Sequence, residues 1–341
     1  MAVGRIGDGL GLHGGVDGHA LHRPGLHRAA VERDVEGVGE QGLQVWTESQ
    51  GAAHMERLGD VAYRESVAGD LAAAIASSTG GQISEKKPLV SGKIEYRGKP
   101  VRAQVVYRPI VEGGPSITLR RYSELPLGVE KIELLHGDLV DLDALRRERA
   151  QAVFDLTAAG KVEEAMMRCV TDRLNVVVSG GTSTGKTTFA RALLAMVGAE
   201  ERIVTIKDAY ELFPPQANKV MLKADRVEKS ERTASKLLEA SLRMRPDRII
   251  LGELRGGECK TFLDAINTGH SGSFTTIHAD TARKAIDRLA LMVMSVGINM
   301  NFEEVRRYCS TSIDVIVQLG RADGRRGIAQ IYLPDRALAT L

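Results

Sequence analysis

Cysteine is scarce: three residues, Cys169, Cys259 and Cys309, stand far apart with no CxxC pair. That excludes a four-cysteine zinc module and predicts reduced structural thiols in a cytosolic protein. Aromatics make up only 4% of the chain, and no basic stripe accompanies them. A stacking platform for single-stranded nucleic acid is therefore missing. Formal net charge is only +2, with Lys and Arg scattered, which argues against a dedicated duplex-DNA binder. No apolar run approaches the ~18 residues needed to span a bilayer. The start of the chain lacks the apolar core of a signal peptide. Membrane contact is expected to be peripheral.

What is present points to a folded chain of more than one domain. With 43% hydrophobic and 26% charged residues in 341, composition is that of a globular protein too long for one core. Residues 1–40 stand apart. Met1 to Gly42 holds eleven of the 36 glycines and His13, His19, His22 and His27, with neither helical nor strand periodicity. This stretch is expected to be disordered or a non-native extension, and ordered chain is expected to start near Leu43. Residues 43–121 read as a small α+β domain. Its helix is "SVAGDLAAAIASSTG", and its strands are "GKIEYRG", "VRAQVVYRPIV" and "SITLRRY". Residues 122–140 form a linker, and a helical stretch over Asp141–Arg168 opens the second domain, 141–341.

That second domain alternates strand and helix. "LNVVVS", "RIVTI", "RIILG" and "SFTTI" are short apolar strands separated by helical segments, and "IDVIVQLG" with "GIAQIYLP" reads as an edge hairpin. The pattern predicts a parallel sheet covered on both faces. Between the first strand and its helix lies "GGTSTGKTT", Gly180 to Thr188, which fits G-x-x-x-x-G-K-[ST]. Glycines at 180, 181 and 185 let backbone N–H groups of Thr182, Ser183 and Thr184 close on phosphate oxygens. The helix N-terminus beyond adds partial positive charge. Lys186 is placed to reach β- and γ-phosphates, Thr187 to ligate Mg²⁺, and Thr188 to follow it into the helix. Glu253, at the end of the strand "RIILG", is the candidate carboxylate for activating water or holding the metal through a water. Gly252 stands where the usual aspartate would be. His270 and His278 flank the strand "SFTTI"; a satisfied loop histidine is the ordinary role for either.

Taken together, "GGTSTGKTT", "RIVTIKDAYEL", "LRMRPDRIILGELRG" and "NTGHSGSFTTIHAD" resemble the secretion NTPases of type II secretion, type IV pili and type IV secretion. The likeness is greatest to conjugation-type type IV secretion traffic ATPases, dense over Asn175–Tyr332 and weaker over Leu43–Arg121. It implies a RecA-like P-loop NTPase domain behind a smaller α+β domain, with ATP and Mg²⁺ bound where the two meet. It further implies a homohexamer at the cytoplasmic face of the inner membrane. There ATP hydrolysis powers substrate transfer or pilus assembly alongside membrane channel proteins; direct nucleic-acid binding is not expected, because the basic stripe and stacking platform are missing. Lys186 and Glu253 match catalytic positions of the family, and His278 matches a γ-phosphate sensor. Arg102 and Arg120 resemble two arginines that reach the nucleotide, with Arg121 as the alternative if the register slips.

The acidic box departs from the family. "TIKDAYEL" carries Lys207 where a glutamate is expected. Asp208 points to the opposite strand face and does not replace it, which leaves Glu211 as the remaining acid. Lys207 thus keeps open a second function, a ring subunit that binds nucleotide but hardly turns it over. A pilus or type II branch motor is a third.

Overall fold

The computed structural model describes residues 26–33, 43–49, 51–59, 64–112, 114–121, 128–227 and 229–338. Six antiparallel strands come first: β1 (Leu26–Arg33), β2 (Leu43–Ser49), β3 (Glu56–Arg57), β4 (Leu89–Tyr96), β5 (Lys99–Val106) and β6 (Ser116–Arg121). Their sheet order is β3-β2-β1-β6-β5-β4. β5 and β6 alternate only toward their Arg102–Arg120 end, because Gln104, Val106, Ser116 and Thr118 on the same face are buried as well. Val101, Ala103, Val105, Ile117 and Leu119 are buried, whereas Arg102 and Arg120 are exposed. Helix α1 (Glu65–Ser78) packs Ala68, Ala72, Ile75 and Ala76 into the same core. Their spacing puts these small residues on one stripe. The helix ends where Gly80 turns to φ +77° and the Gly81 N–H bonds back to the Ala76 carbonyl at 2.9 Å.

One sequence expectation is corrected here. Residues 26–33 are not a structureless extension: β1 is a central strand, pairing with β2 over Leu26–Arg33 and with β6 over Arg28–Val31. Its glycine- and histidine-rich surroundings mask it, because strand pairing is supplied by partners distant in sequence. The remainder of the first 40 residues, with His13, His19 and His22, lies outside the described residues, as do 122–127 of the expected linker.

The second sheet contains β7 (Val176–Gly180), β8 (Ile203–Lys207), β9 (Lys219–Lys223), β10 (Arg248–Leu251), β11 (Phe274–Ile277), β12 (Val315–Ala322) and β13 (Arg325–Tyr332). The order is β13-β12-β7-β11-β10-β8-β9. The neighbours β12, β7, β11 and β10 run parallel, and β13 returns antiparallel as the expected edge hairpin. All five residues of β7 are buried, the mark of a strand covered on both faces. Burial of its three valines contributes about 1.5–3 kcal/mol each.

Helices α2 (Leu142–Ala158), α3 (Val162–Thr171), α4 (Lys186–Ala195), α5 (Ala234–Ser241), α6 (Glu258–Asn267), α7 (Ala282–Met294), α8 (Phe302–Ser312) and α9 (Pro334–Leu338) complete the described chain. The helical stretch expected over Asp141–Arg168 is two helices, because Gly160 takes φ +78° between them.

Polar stitches hold the strand starts in register. The Asp314 carboxylate accepts from Arg146 Nε and Nη2, both at 2.5 Å, and from the Asn175 N–H at 2.6 Å. Burial raises its pKa, opposed by Arg146. The Asn175 side chain donates to the Ser312 carbonyl and accepts from the Gly272 N–H, tying β7 to the segments before β12 and β11. The three cysteines are free and buried, and burial pushes Cys169 and Cys309 up to about 12.

The chain forms two compact units, Met1–Leu127 with Ala199–Val204 and Gln216–Asp247, and Gly128–Gly198 with Thr205–Pro215 and Arg248–Leu341. The first therefore takes in two segments that strand–helix alternation assigns to the ATPase domain. Non-local bonds are the reason. Arg245 ion-pairs with Glu48 at 2.7 Å, and the Lys223 N–H donates to the Ile110 carbonyl at 2.8 Å.

Candidate functional site

The geometry of the glycine-rich loop follows from its sequence. Gly180 ends β7 in a place where only glycine fits. A Cβ there would stand 2.5 Å from Thr184 Oγ1 and 3.0 Å from the Leu319 carbonyl oxygen. Ser183 adopts φ +59° and Gly185 φ +93°, turning the chain so that α4 starts at Lys186. Thr184 is buried and donates to the Gly181 carbonyl at 3.0 Å, whereas Thr182, Ser183 and Thr188 are exposed. The loop thus presents its backbone at a helix N-terminus, an arrangement suited to phosphate.

Lys186 is buried, and its Nζ donates to the carbonyls of Gly180 at 2.9 Å and Gly181 at 2.7 Å. Burial lowers its pKa, opposed by the charge of Glu253. His278, directly after β11, bridges two groups: Nδ1 lies 3.3 Å from Lys186 Nζ and Nε2 lies 3.4 Å from Glu253 Oε1. Its pKa is lowered, first by burial and then by Lys186, which favours the neutral ring. Glu253 follows β10 and is held from its other oxygen by Arg255 Nη2 at 2.6 Å. Backbone bonds fix these strand ends: the Gly252 N–H donates to the Ile206 carbonyl, and Thr276 Oγ1 donates to the Gly252 carbonyl.

The structure therefore brings together Lys186, Thr187, Glu253 and His278 with the loop. Asp208 joins through Arg255, whose Nη1 lies 3.3 Å from its carboxylate. Glu211 is ion-paired with Lys207. Arg102 and Arg120 belong to the first unit, where they sit directly opposite each other on β5 and β6. His270 is separated from the cluster by the length of β11, at the opposite end of the sheet from the loop, and its carbonyl accepts from Ser273 Oγ. Arg255 is the residue that sequence reasoning missed. It lies two positions after Glu253, but its bridging of two carboxylates depends on β8 and β10 being neighbours.

The surroundings of Thr187 do not suit a divalent cation. Its Oγ1 already accepts from Lys207 Nζ at 3.2 Å, and two cations sharing one oxygen repel each other. No cluster of three or more His, Cys, Asp or Glu side chains able to hold a metal occurs among the described residues.

The family described as "Type II/IV secretion system protein" matches residues 110–330. A type IV secretion system protein VirB11 of Brucella suis is 34% identical over 264 residues, spanning 73% of this chain and 72% of that protein. The Bartonella quintana VirB11 is 32% identical over 280 residues, spanning 77% and 78%. A conjugal transfer protein TrbB of Rhizobium radiobacter is 29% identical over 302 residues, spanning 85% and 82%. Among solved structures, the Brucella suis VirB11 ATPase in complex with sulphate superposes with a TM-score of 0.76 at 29% identity, covering 93% of this chain and 96% of that one. The chain belongs to the type II/IV secretion system protein family, among the type IV secretion traffic ATPases.

Proposed function

We propose that the chain hydrolyses ATP and couples it to substrate transfer or pilus assembly in a type IV secretion system. The convergence of Lys186, Glu253 and His278 at the mouth of the glycine loop supports this most directly. In this reading the loop N–H groups and Lys186 hold the β- and γ-phosphates. As the terminal phosphoryl departs, Lys186 exchanges loop carbonyls for phosphate oxygens and stabilises the negative charge.

Glu253 accepts a proton from the attacking water or orients it. Arg255 holds that carboxylate in place. His278 touches Lys186 and Glu253 and serves as the sensor of the γ-phosphate. Arg102 and Arg120 are assigned to the phosphates by family resemblance alone. That resemblance also carries the homohexamer, the channel partners and the cytoplasmic side of the inner membrane. No helix among the described residues is long and apolar enough to cross a membrane.

The test is turnover and nucleotide affinity measured on paired variants. Lys186→Ala is expected to lower phosphate release at least ~10²-fold, together with affinity for ADP. Glu253→Gln is expected to slow release ~10²–10⁴-fold while ADP affinity is kept. Normal turnover in either variant refutes the assignment. A second reading, a ring subunit that binds nucleotide and turns it over slowly, is favoured by one observation: Lys207 sits on the Thr187 hydroxyl.

A further inference from the structure

The ammonium of Lys207 occupies the Thr187 hydroxyl, the group that P-loop proteins offer to a divalent cation. Three features place it there. Nζ donates to Thr187 Oγ1 at 3.2 Å, the hydroxyl that follows the loop lysine. Its stem fills the space beside Gly252: a Cβ added at that glycine would meet Lys207 Cγ at 2.5 Å, Cδ at 2.7 Å and Cβ at 3.0 Å. A carboxylate-bearing residue at position 252 is therefore incompatible with Lys207 as it lies. The glycine at the strand end and the lysine in the acidic box are one coupled choice. Finally, the lysine side chain is only 13% exposed and is anchored by the Glu211 carboxylate.

The other acids nearby are engaged. Glu253 is shared between Arg255 and His278, and Asp208 faces Arg255.

We propose that Lys207 is a built-in substitute for the metal, so that this chain grips its nucleotide without Mg²⁺. The proposal rests on the nucleotide-binding reading above. An ammonium has three N–H donors. One goes to Thr187, one goes to Glu211, and the third is directed to a phosphate oxygen. The Thr187 hydroxyl, accepting from Lys207, turns its own hydrogen to the same phosphate group instead of offering a lone pair to a metal. One positive charge replaces two, and it comes with no metal-bound waters.

The experiment is calorimetric titration of the full-length protein with ADP and with a non-hydrolysable ATP analogue, in excess magnesium and in excess EDTA. The expected result is an affinity that differs by less than about threefold between the two conditions. Lys207→Met keeps the methylene packing and removes the ammonium; it is expected to weaken binding in EDTA at least ~10-fold. Lys207→Glu is expected to make binding magnesium-dependent. As a second readout, Mn²⁺ added to the ADP-loaded protein should give no stoichiometric bound-metal signal by electron paramagnetic resonance. The proposal is overturned by wild-type binding that requires magnesium, by a stoichiometric Mn²⁺ signal, or by Lys207→Met binding as wild type does in EDTA. Absence of nucleotide binding by the wild type in both conditions removes the nucleotide-binding reading, and the proposal with it. That outcome is distinct from binding that is merely metal-dependent.

Discussion

The glycine loop at 180–188 and the acidic box at 207–211 lie on neighbouring parts of one site, joined by the Lys207–Thr187 hydrogen bond, yet they carry information differently. The loop works through its backbone. Gly180 is confined by Thr184 and Leu319, Ser183 and Gly185 take positive φ, and the N–H groups follow from that path. The box works through side-chain charge, so a single residue inverts its chemistry while the strand beneath it is unchanged. Backbone sites tolerate many side chains but few conformations; charge sites tolerate the reverse.

Breaking the loop should therefore have the largest effect. Gly180→Ala drives a methyl into Thr184 and the Leu319 carbonyl. It is expected to cost about 1–3 kcal/mol of stability and to abolish ADP binding, checked by thermal melts and calorimetry. Reversing the box should come next, and in the opposite direction. Lys207→Glu restores the family's acid and, under the slow-turnover reading, raises magnesium-dependent phosphate release by about tenfold or more. Little change there favours the ordinary ATPase reading.

The smallest effect belongs to His278, where loop and strand ends meet. Its folded-state pKa is depressed by burial and Lys186, so the unfolded chain binds the proton first as pH falls. Its contribution to stability is complete above the ordinary histidine pKa and is lost as pH drops through the depressed folded value. His278→Gln should flatten that loss in melts taken across the acid range.

Much of the fold was legible because its signals are local. The apolar run at Val176–Val178, the Gly-rich turn and the helix that starts at Lys186 need only neighbours a few residues away to make sense. The edge hairpin of β12 and β13 was legible for the same reason. The short β9 and helix α8 were not foreseen. In β9 only Val220 and Leu222 are buried among lysines. Helix α8 is polar enough to read as loop, although its Asn301–Glu304 capping box is a usable start signal. At the site, Lys186, Thr187, Glu253 and His278 were each identifiable from their motifs. Arg255 was not, because its two partners lie on different strands.

What the sequence by itself determined is the set of local conformations and the chemical groups available: a phosphate loop, a strand-end glutamate, a histidine beyond the next strand, and a lysine where an acid is expected. Only tertiary structure decided which of these groups touch. It made β1 a central strand, left His270 at the far end of β11, and laid the Lys207 stem against Gly252 with its ammonium on Thr187. The physical reason is range. Dihedral preferences and periodicity act over a few residues, whereas sheet order sets which strand ends are neighbours, and hydrogen bonds and charge pairs form only between groups brought within about 3–4 Å.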